Sequence, residues 1–263
     1  MRDLTLTLQQ TKFGLKSLGR NPRAVVFSLV FPVVLLVLFA SVFATGSDET
    51  TEFEGGTLGL DAYFTAGIMA YAIMMSSFST LAISLTTQRE SGQLKRLRGT
   101  PMPAWTFVAA QIVRAVLMVA LMVVVIVLIG HFAFDVKLPG ERLVTLAVYV
   151  LLGTAAMCTL GIALTTLAPT ADAASTIAPF GAVLLSFISG VFIPVSELPN
   201  WLEEVGKVFP LAHLAEGLQT AFVTGASGTG LAAANVAVIA IWGAAGLLIA
   251  ARAFKWEPQA VRS

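Results

Sequence analysis

Six continuous apolar runs, each long enough to cross a bilayer as a helix, limit what this chain can fold into. They are Ala24–Ala44, Leu60–Thr87, Thr106–Phe134, Leu143–Leu167, Ala173–Val195 and Leu231–Ala253. A helix rising about 1.5 Å per residue needs roughly 20 apolar residues to span the hydrocarbon core. Backbone amides in lipid must be satisfied within their own segment, so these runs are helices; barrel strands would show short alternating segments instead. The composition agrees. Charged residues make up 12% of the chain and hydrophobic residues 57%, with a mean hydropathy of +0.85. A soluble domain carries about 25% charged residues, and half that density cannot cover a 263-residue globule with water-compatible groups. No internal repeat, low-complexity tract or linker divides residues 1–263, which read as one all-α membrane domain.

Charge placement orients the runs. Arg2, Lys12, Lys16, Arg20 and Arg23 precede the first, Arg89, Lys95, Arg96 and Arg98 separate the second from the third, and Arg252, Lys255 and Arg262 close the chain. Six crossings bring all of these to one face, which the excess of Lys and Arg marks as cytoplasmic. Both termini are then cytoplasmic, in a multi-pass protein of the cytoplasmic (inner) membrane. The opposite loops hold Lys137, Arg142 and Lys207 and collect acids: Asp48, Glu49, Glu52 and Glu54 in the first, Glu197, Glu203, Glu204 and Glu216 in the last.

Residues 1–23 place Leu4, Leu8, Leu15 and Leu18 among polar residues and lysines, as in an amphipathic helix lying on the cytoplasmic surface; a frayed basic tail is the alternative. A cleaved signal peptide ending at Val42-Phe43-Ala44 competes for the first run, but signal h-regions are about 7–15 residues and this run is longer. Residues 196–230 form the irregular outer region. Pro194, Pro199, Pro210 and the Gly225–Gly230 cluster bracket two pieces too short to span, Trp201–Phe209 and Leu211–Val223, which predict half-helices re-entering the outer leaflet.

The spans offer little catalytic chemistry. A charge at mid-membrane costs about 2.5–3.5 kcal/mol on insertion scales and so marks function, yet the charges here sit near helix ends. Arg114 lies about two turns into the third span and can snorkel to the cytoplasmic face. Asp172, behind Pro169 and Thr170, suits the positive N-terminus of the fifth helix. Cys158, alone in an apolar run, has no partner for an intrachain disulfide. His131 and His213 lack Cys or Glu partners at ligand spacing, so no metal site is expected. Glu203-Glu204 invites comparison with membrane proteases that use paired glutamates, but no histidine stands at helical spacing from it. No GxxxxGK[ST] occurs, so the chain does not bind ATP through a P-loop. The missing midplane charge also disfavours an ion-coupled carrier. Energy must therefore come from a partner.

The segment suited to receive one is residues 88–103, within TQRESGQLKRLRGTPMP. Its charges, with Leu94 and Leu97 one turn apart, predict a short helix along the membrane surface, ended by Gly99 and Pro101 before Trp105 anchors the third span. A plain positive-inside loop fits the charges as well.

Here the residues become specific. Arg89–Pro103 resembles the cytoplasmic loop of ABC-2 type permeases, in which a glutamate precedes a glycine, a leucine and a Thr-Pro. Ser189-Gly190-Val191-Phe192-Ile193-Pro194, then Glu197-Leu198-Pro199 and Trp201-Leu202, is similar to the signature after that family's fifth span. Pro210-Leu211 with His213, Glu216 and Gly217 is similar to its continuation, and Phe31-Pro32 in the first run fits too. The resemblance, to daunorubicin-resistance-type drug and lipid exporters in particular, implies a six-helix type V exporter-like fold. It implies a second permease copy, homo- or heterodimeric, and a separate ATP-binding subunit that carries the ATP and Mg, with no cofactor on this chain. Glu90 would couple the loop to that subunit, with Gly92, Leu94, Arg96, Leu97 and Arg98 as contacts. The substrate would be an amphipathic drug or lipid-like molecule moved out of the cytoplasm or inner leaflet, with a polysaccharide or glycolipid as the alternative; membrane lipids are further partners, and no nucleic-acid partner is expected. Its route would follow spans two and five of both copies.

In this chain Tyr71, Met74, Met75 and Phe78 stand at helical spacing beside Ser76, Ser77, Ser79 and Thr80, an adaptable amphipathic stripe suited to such a route. Helix packing accounts for the stripe equally well, as it does for Ser186 and Gly190 in the fifth run. Pro194, Leu198, Pro199 and Trp201 form the candidate outer gate. A secondary carrier and a membrane-embedded hydrolase are the rivals from other classes.

Overall fold

The computed structural model describes residues 2–19, 22–44, 50–53, 56–100, 103–225 and 228–254. Arg20, Asp48, Glu49, Glu54, Pro101, Lys255 and Arg262, named above, lie outside them. The chain begins with α1 (Arg2–Gly19) and α2 (Pro22–Phe39), the latter running into a π-helical turn at Ala40–Ala44. A small antiparallel hairpin follows, β1 (Thr50–Phe53) paired with β2 (Gly56–Gly59) in the register Thr50 to Gly59. This hairpin is absent from the all-α reading, because only long apolar runs were decisive there and these strands are four residues each.

A continuous 31-residue rod follows, made of α3 (Leu60–Met74), a π-helical turn at Met75–Ser79, and α4 (Thr80–Glu90). After α5 (Gln93–Arg98) come α6 (Ala104–Phe134), α7 (Leu143–Leu164) and α8 (Ala171–Ile188). The short helices α9 (Asn200–Val208) and α10 (Pro210–Thr220) lead to α11 (Ala233–Ala253). By length and composition, five helices among the described residues are able to cross a membrane: Leu60–Glu90, Trp105–Phe134, Gly140–Leu164, Ala171–Ile188 and Ala233–Ala253. Leu29–Phe43 is a shorter apolar helix.

The ends of the second, fourth and fifth runs shift by three residues or more. The second run stays helical three residues past Thr87, because its polar end is held by neighbouring segments rather than by lipid. The fourth helix stops at Leu164, not Leu167, where the hydroxyls of Thr165 and Thr166 bond back to Ile162 and Ala163. The fifth stops at Ile188, not Val195, because Gly190 takes the left-handed conformation at φ 71° and turns the chain.

The rod α3–α4 is the core of the bundle. Tyr63 to Met74 are buried on every side of α3, in a cluster with residues of α2, α6, α7 and α10. Helix α7 is next most enclosed, whereas α6, α8 and α11 present most of their surface outward. Without a hydrophobic driving force in lipid, such helices are held by close backbone approach and hydrogen bonds. The α7–α11 pair shows both: a Cβ on Gly246 would stand 2.9 Å from the Leu160 backbone nitrogen, and Thr159 Oγ1 donates to the Gly243 carbonyl at 2.9 Å.

Candidate functional site

Two ends of the rod are built differently, and the α5 end holds most of the polar residues singled out from sequence. Gly92, at φ 69°, makes the left-handed corner between α4 and α5. Around it the Ser91 N–H donates to the Thr87 carbonyl at 3.0 Å and the Gly92 N–H to Arg89 at 3.1 Å. Leu94 is 1% exposed and packs with Leu81, Leu85, Phe107 and Ile162, so it holds α5 against the bundle rather than facing outward. Leu97 is half-buried beside it. Gln93, Lys95, Arg96 and Arg98 are exposed. The short helix therefore has one anchored side and one open cationic side.

Glu90 and Arg89 tie this corner to α8. The Ala171 N–H donates to Glu90 Oε1 at 2.8 Å, placing the carboxylate at the N-terminus of α8, where the helix dipole favours a negative charge. Thr170 completes that cap, its hydroxyl accepting from the Ala173 N–H at 3.1 Å, and Asp172 occupies the first turn as its sequence position suggests. Arg89 is 1% exposed and forks across the α7–α8 connection: Nη1 donates to the Thr165 carbonyl at 2.8 Å, and Nη2 to those of Ala168 at 2.6 Å and Pro169 at 2.9 Å. Sequence reasoning counted Arg89 only as a loop charge. Its clue was its place at the end of a helix, directly before Glu90.

The residues of the candidate pathway divide. Met74 and Phe78 line an almost wholly apolar cavity of about 310 Å³ with Met157, Leu185, Phe209 and Trp242. Tyr71 faces elsewhere, against Phe31 and Phe192, with ring centroids 6.3 and 5.2 Å away. Met75 is half-buried against the core. The π turn sits where α7 presses closest, since a Cβ on Gly161 would stand 2.7 Å from the Phe78 carbonyl oxygen. Thr80 Oγ1 donates to the Met75 carbonyl at 2.9 Å across that turn. Ser186 is buried, its hydroxyl donating to the Ala182 carbonyl of its own helix at 2.7 Å. The Gly190 carbonyl accepts from the Tyr63 hydroxyl at 2.5 Å and from Gln219 Nε2 at 3.4 Å, joining α3, the α8 turn and α10. Tyr63 and Gln219 were not foreseen.

At the other end, Pro194 precedes a 3₁₀ turn at Val195–Glu197, and Pro199 opens α9, accepting from the Leu202 N–H at 2.8 Å. Leu198 is half-buried and Trp201 is 69% exposed. Helices α9 and α10 form a hairpin whose apex meets the middle of α11: Trp242 Nε1 donates to the Val208 carbonyl at 2.9 Å, and Phe209 stacks on the Trp242 ring. The α10 terminus is held at the start of α7, where Arg142 Nη1 donates to the Thr220 carbonyl at 2.7 Å. His213 bridges the Asn235 side chain and the Lys207 carbonyl at 2.7 and 2.8 Å. His131 Nδ1 donates to the Val136 carbonyl at 3.0 Å. Among the described residues no three His, Cys, Asp or Glu side chains converge.

The family model for the ABC-2 type transporter matches residues 5–223. The chain is also 25% identical over 209 residues to a protein of Bacillus subtilis (strain 168) named "Putative transport permease YvfS", covering 80% of this chain and 82% of that relative. With most of its length matched and several helices able to cross a membrane, this multi-pass protein belongs to the ABC-2 type transporter family, the membrane subunits of ABC transporters that work with an ATP-binding subunit.

Proposed function

We propose that this chain is the permease subunit of an ATP-driven exporter in the cytoplasmic (inner) membrane, crossing six times with both termini in the cytoplasm. The sixth crossing is α2, and the α9–α10 hairpin re-enters the outer leaflet; its apex against Trp242 supports that reading. The observation that carries the proposal is α5: a short helix with an open cationic side, a buried Leu94 anchor and a hinge at Gly92. Such a helix suits seating in a cleft of the ATP-binding subunit. The bonds of Arg89 and Glu90 to the α7–α8 connection give its motion a rigid path to α8. Arg96 and Arg98 would make the contact, while Leu94, Leu97 and Gly92 would hold the helix in place.

A second copy would pair along α8, which leaves Phe180, Leu184 and Phe187 uncovered. The cargo is an amphipathic drug or lipid-like molecule; the adaptable Met and aromatic lining of the cavity at Met74 and Phe78 suits it. ATP and Mg reside on the partner.

The test is co-purification with a co-expressed ATP-binding subunit of an ABC transporter. Replacing Arg96 and Arg98 together by Glu reverses the charge of the open side and should lower recovery of that subunit at least tenfold, with the permease itself still monodisperse. Stoichiometric recovery and transport at the wild-type rate would overturn the assignment.

A further inference from the structure

We propose that the recess between α1 and the α4–α6 corner binds the phosphate of an anionic phospholipid, a resident lipid rather than transported cargo. The recess measures about 530 Å³ and is lined by Arg114 together with the amide side chains of Gln10, Gln88, Gln93 and Gln111. Phe13 and Phe107 supply apolar wall beside them. Among the described residues no carboxylate lines it and none pairs with Arg114. Arg114 is thus a half-buried guanidinium without a counter-ion, a costly arrangement in a low dielectric. A phosphate would answer it, because the guanidinium fork matches two phosphate oxygens and the amides donate to the rest.

Depth points to lipid rather than to a soluble anion. Helix α6 has 31 residues, about 46 Å at 1.5 Å per residue, against a hydrocarbon core of about 30 Å. Centring the helix leaves about 8 Å beyond the core at each end. Arg114, about 15 Å from the start, then lies about 7 Å inside the boundary, a depth from which its long side chain can snorkel to the headgroup layer. Phe13 is 65% exposed at the mouth, so the recess opens beside an uncovered apolar ring where acyl chains can lie. Lys12, Lys16 and Lys95 are exposed nearby on α1 and α5 and draw anionic lipid to that surface. Helix α1 crosses close above the site: a Cβ on Gly14 would stand 2.9 Å from Arg114 Cδ. A bound phosphate would therefore fasten α1 to the corner that carries α5.

The choice of the inner leaflet rests on the orientation proposed above, but binding does not, so the test uses the full chain in detergent. Native mass spectrometry would follow titration with phosphatidylglycerol, with phosphatidylcholine of the same chains, and with inorganic phosphate. The wild type should bind phosphatidylglycerol at least tenfold more tightly than phosphatidylcholine. Arg114→Gln should reduce that preference below twofold, Arg114→Lys, which keeps the charge but not the fork, should fall between Gln and wild type, and Lys137→Gln, just past the far end of α6, should leave it unchanged. Gln111→Leu, which keeps the cation and removes one donor, should weaken phosphatidylglycerol binding about threefold and decides the matter where Arg114→Gln does not fold. Equal binding of the two lipids, unchanged binding in both Arg114→Gln and Gln111→Leu, or full displacement by millimolar inorganic phosphate would overturn the proposal.

Discussion

Glu90 and Ala171 are joined by a 2.8 Å hydrogen bond across 81 residues of sequence, so the last residue of α4 caps the first turn of α8. If this contact transmits motion, the acceptor oxygen matters more than the charge. Glu90→Gln retains an acceptor and should transport at near the wild-type rate. Glu90→Ala loses it, and the cap is worth about 0.5–2 kcal/mol, at the low end for an exposed site. Its thermal stability should fall slightly while cargo moved per ATP hydrolysed drops several-fold. Transport and ATPase assays on the reconstituted complex would separate the two variants; a Gln variant as uncoupled as Ala would show that the charge itself is read by the partner.

Arg89 should matter more for folding than Glu90. It is buried and satisfies three carbonyls of the α7–α8 connection, those of Thr165, Ala168 and Pro169. Arg89→Ala strands acceptors in a low-dielectric site, at about 1–3 kcal/mol for each buried group left unpaired. Arg89→Lys keeps the charge but cannot fork, and should fall between Ala and wild type. Thermal unfolding in detergent ranks the three; proteolysis within residues 165–171 should rise in the same order.

The turn after α8 gives a third expectation. At Gly190 a Cβ would meet Val195 Cγ2 at 2.6 Å, on backbone already at φ 71°. Gly190→Ala should cost at least the roughly 1–2 kcal/mol of a left-handed L-residue. Tyr63→Phe removes the hydroxyl that holds the Gly190 carbonyl, worth about 0.5–1.5 kcal/mol. Because both act on one contact, the double variant should be less destabilised than the sum, by about 0.5 kcal/mol or more. Strict additivity in urea or thermal unfolding would show the contact to be unimportant.

These residues show where sequence was informative and where it was silent. The run from Leu60 was legible as a helix because lipid requires every amide in it to be paired internally. The π turn at Met75–Ser79 was not, since α7 pressing at Gly161 has no local signature in that run. Pro199 and Pro210 announced α9 and α10, as each opens its helix. Val191-Phe192-Ile193 is apolar enough to pass for helix, and only the Ser189-Gly190 breaker hinted at the turn that Tyr63 pins from another segment. The α5 charges were plain, but Leu94's inward position depends on Phe107 and Ile162, which no spacing rule brings together.

Lys207, on α9, supplies a pH test. Its ammonium lies 2.8 Å from Glu203 and 3.1 Å from Glu204, and hydrogen bonds to these carboxylates raise its pKa above the usual 10.5. A cation whose folded pKa is raised contributes its stability below the unfolded value and loses it as pH climbs through the folded one. The group is open to solvent, so salt screens the contribution and its size is small. Lys207→Met should therefore shift the melting temperature by the same slight amount throughout pH 7–9, and the shift should fade only above about pH 10.5. The same geometry makes Glu203 and Glu204 partners of a surface lysine on α9 rather than members of a convergent catalytic group. Glu203→Gln with Glu204→Gln should leave transport at the wild-type rate. A loss of activity greater than tenfold in that pair, with folding intact, would reinstate the hydrolase reading against the permease one.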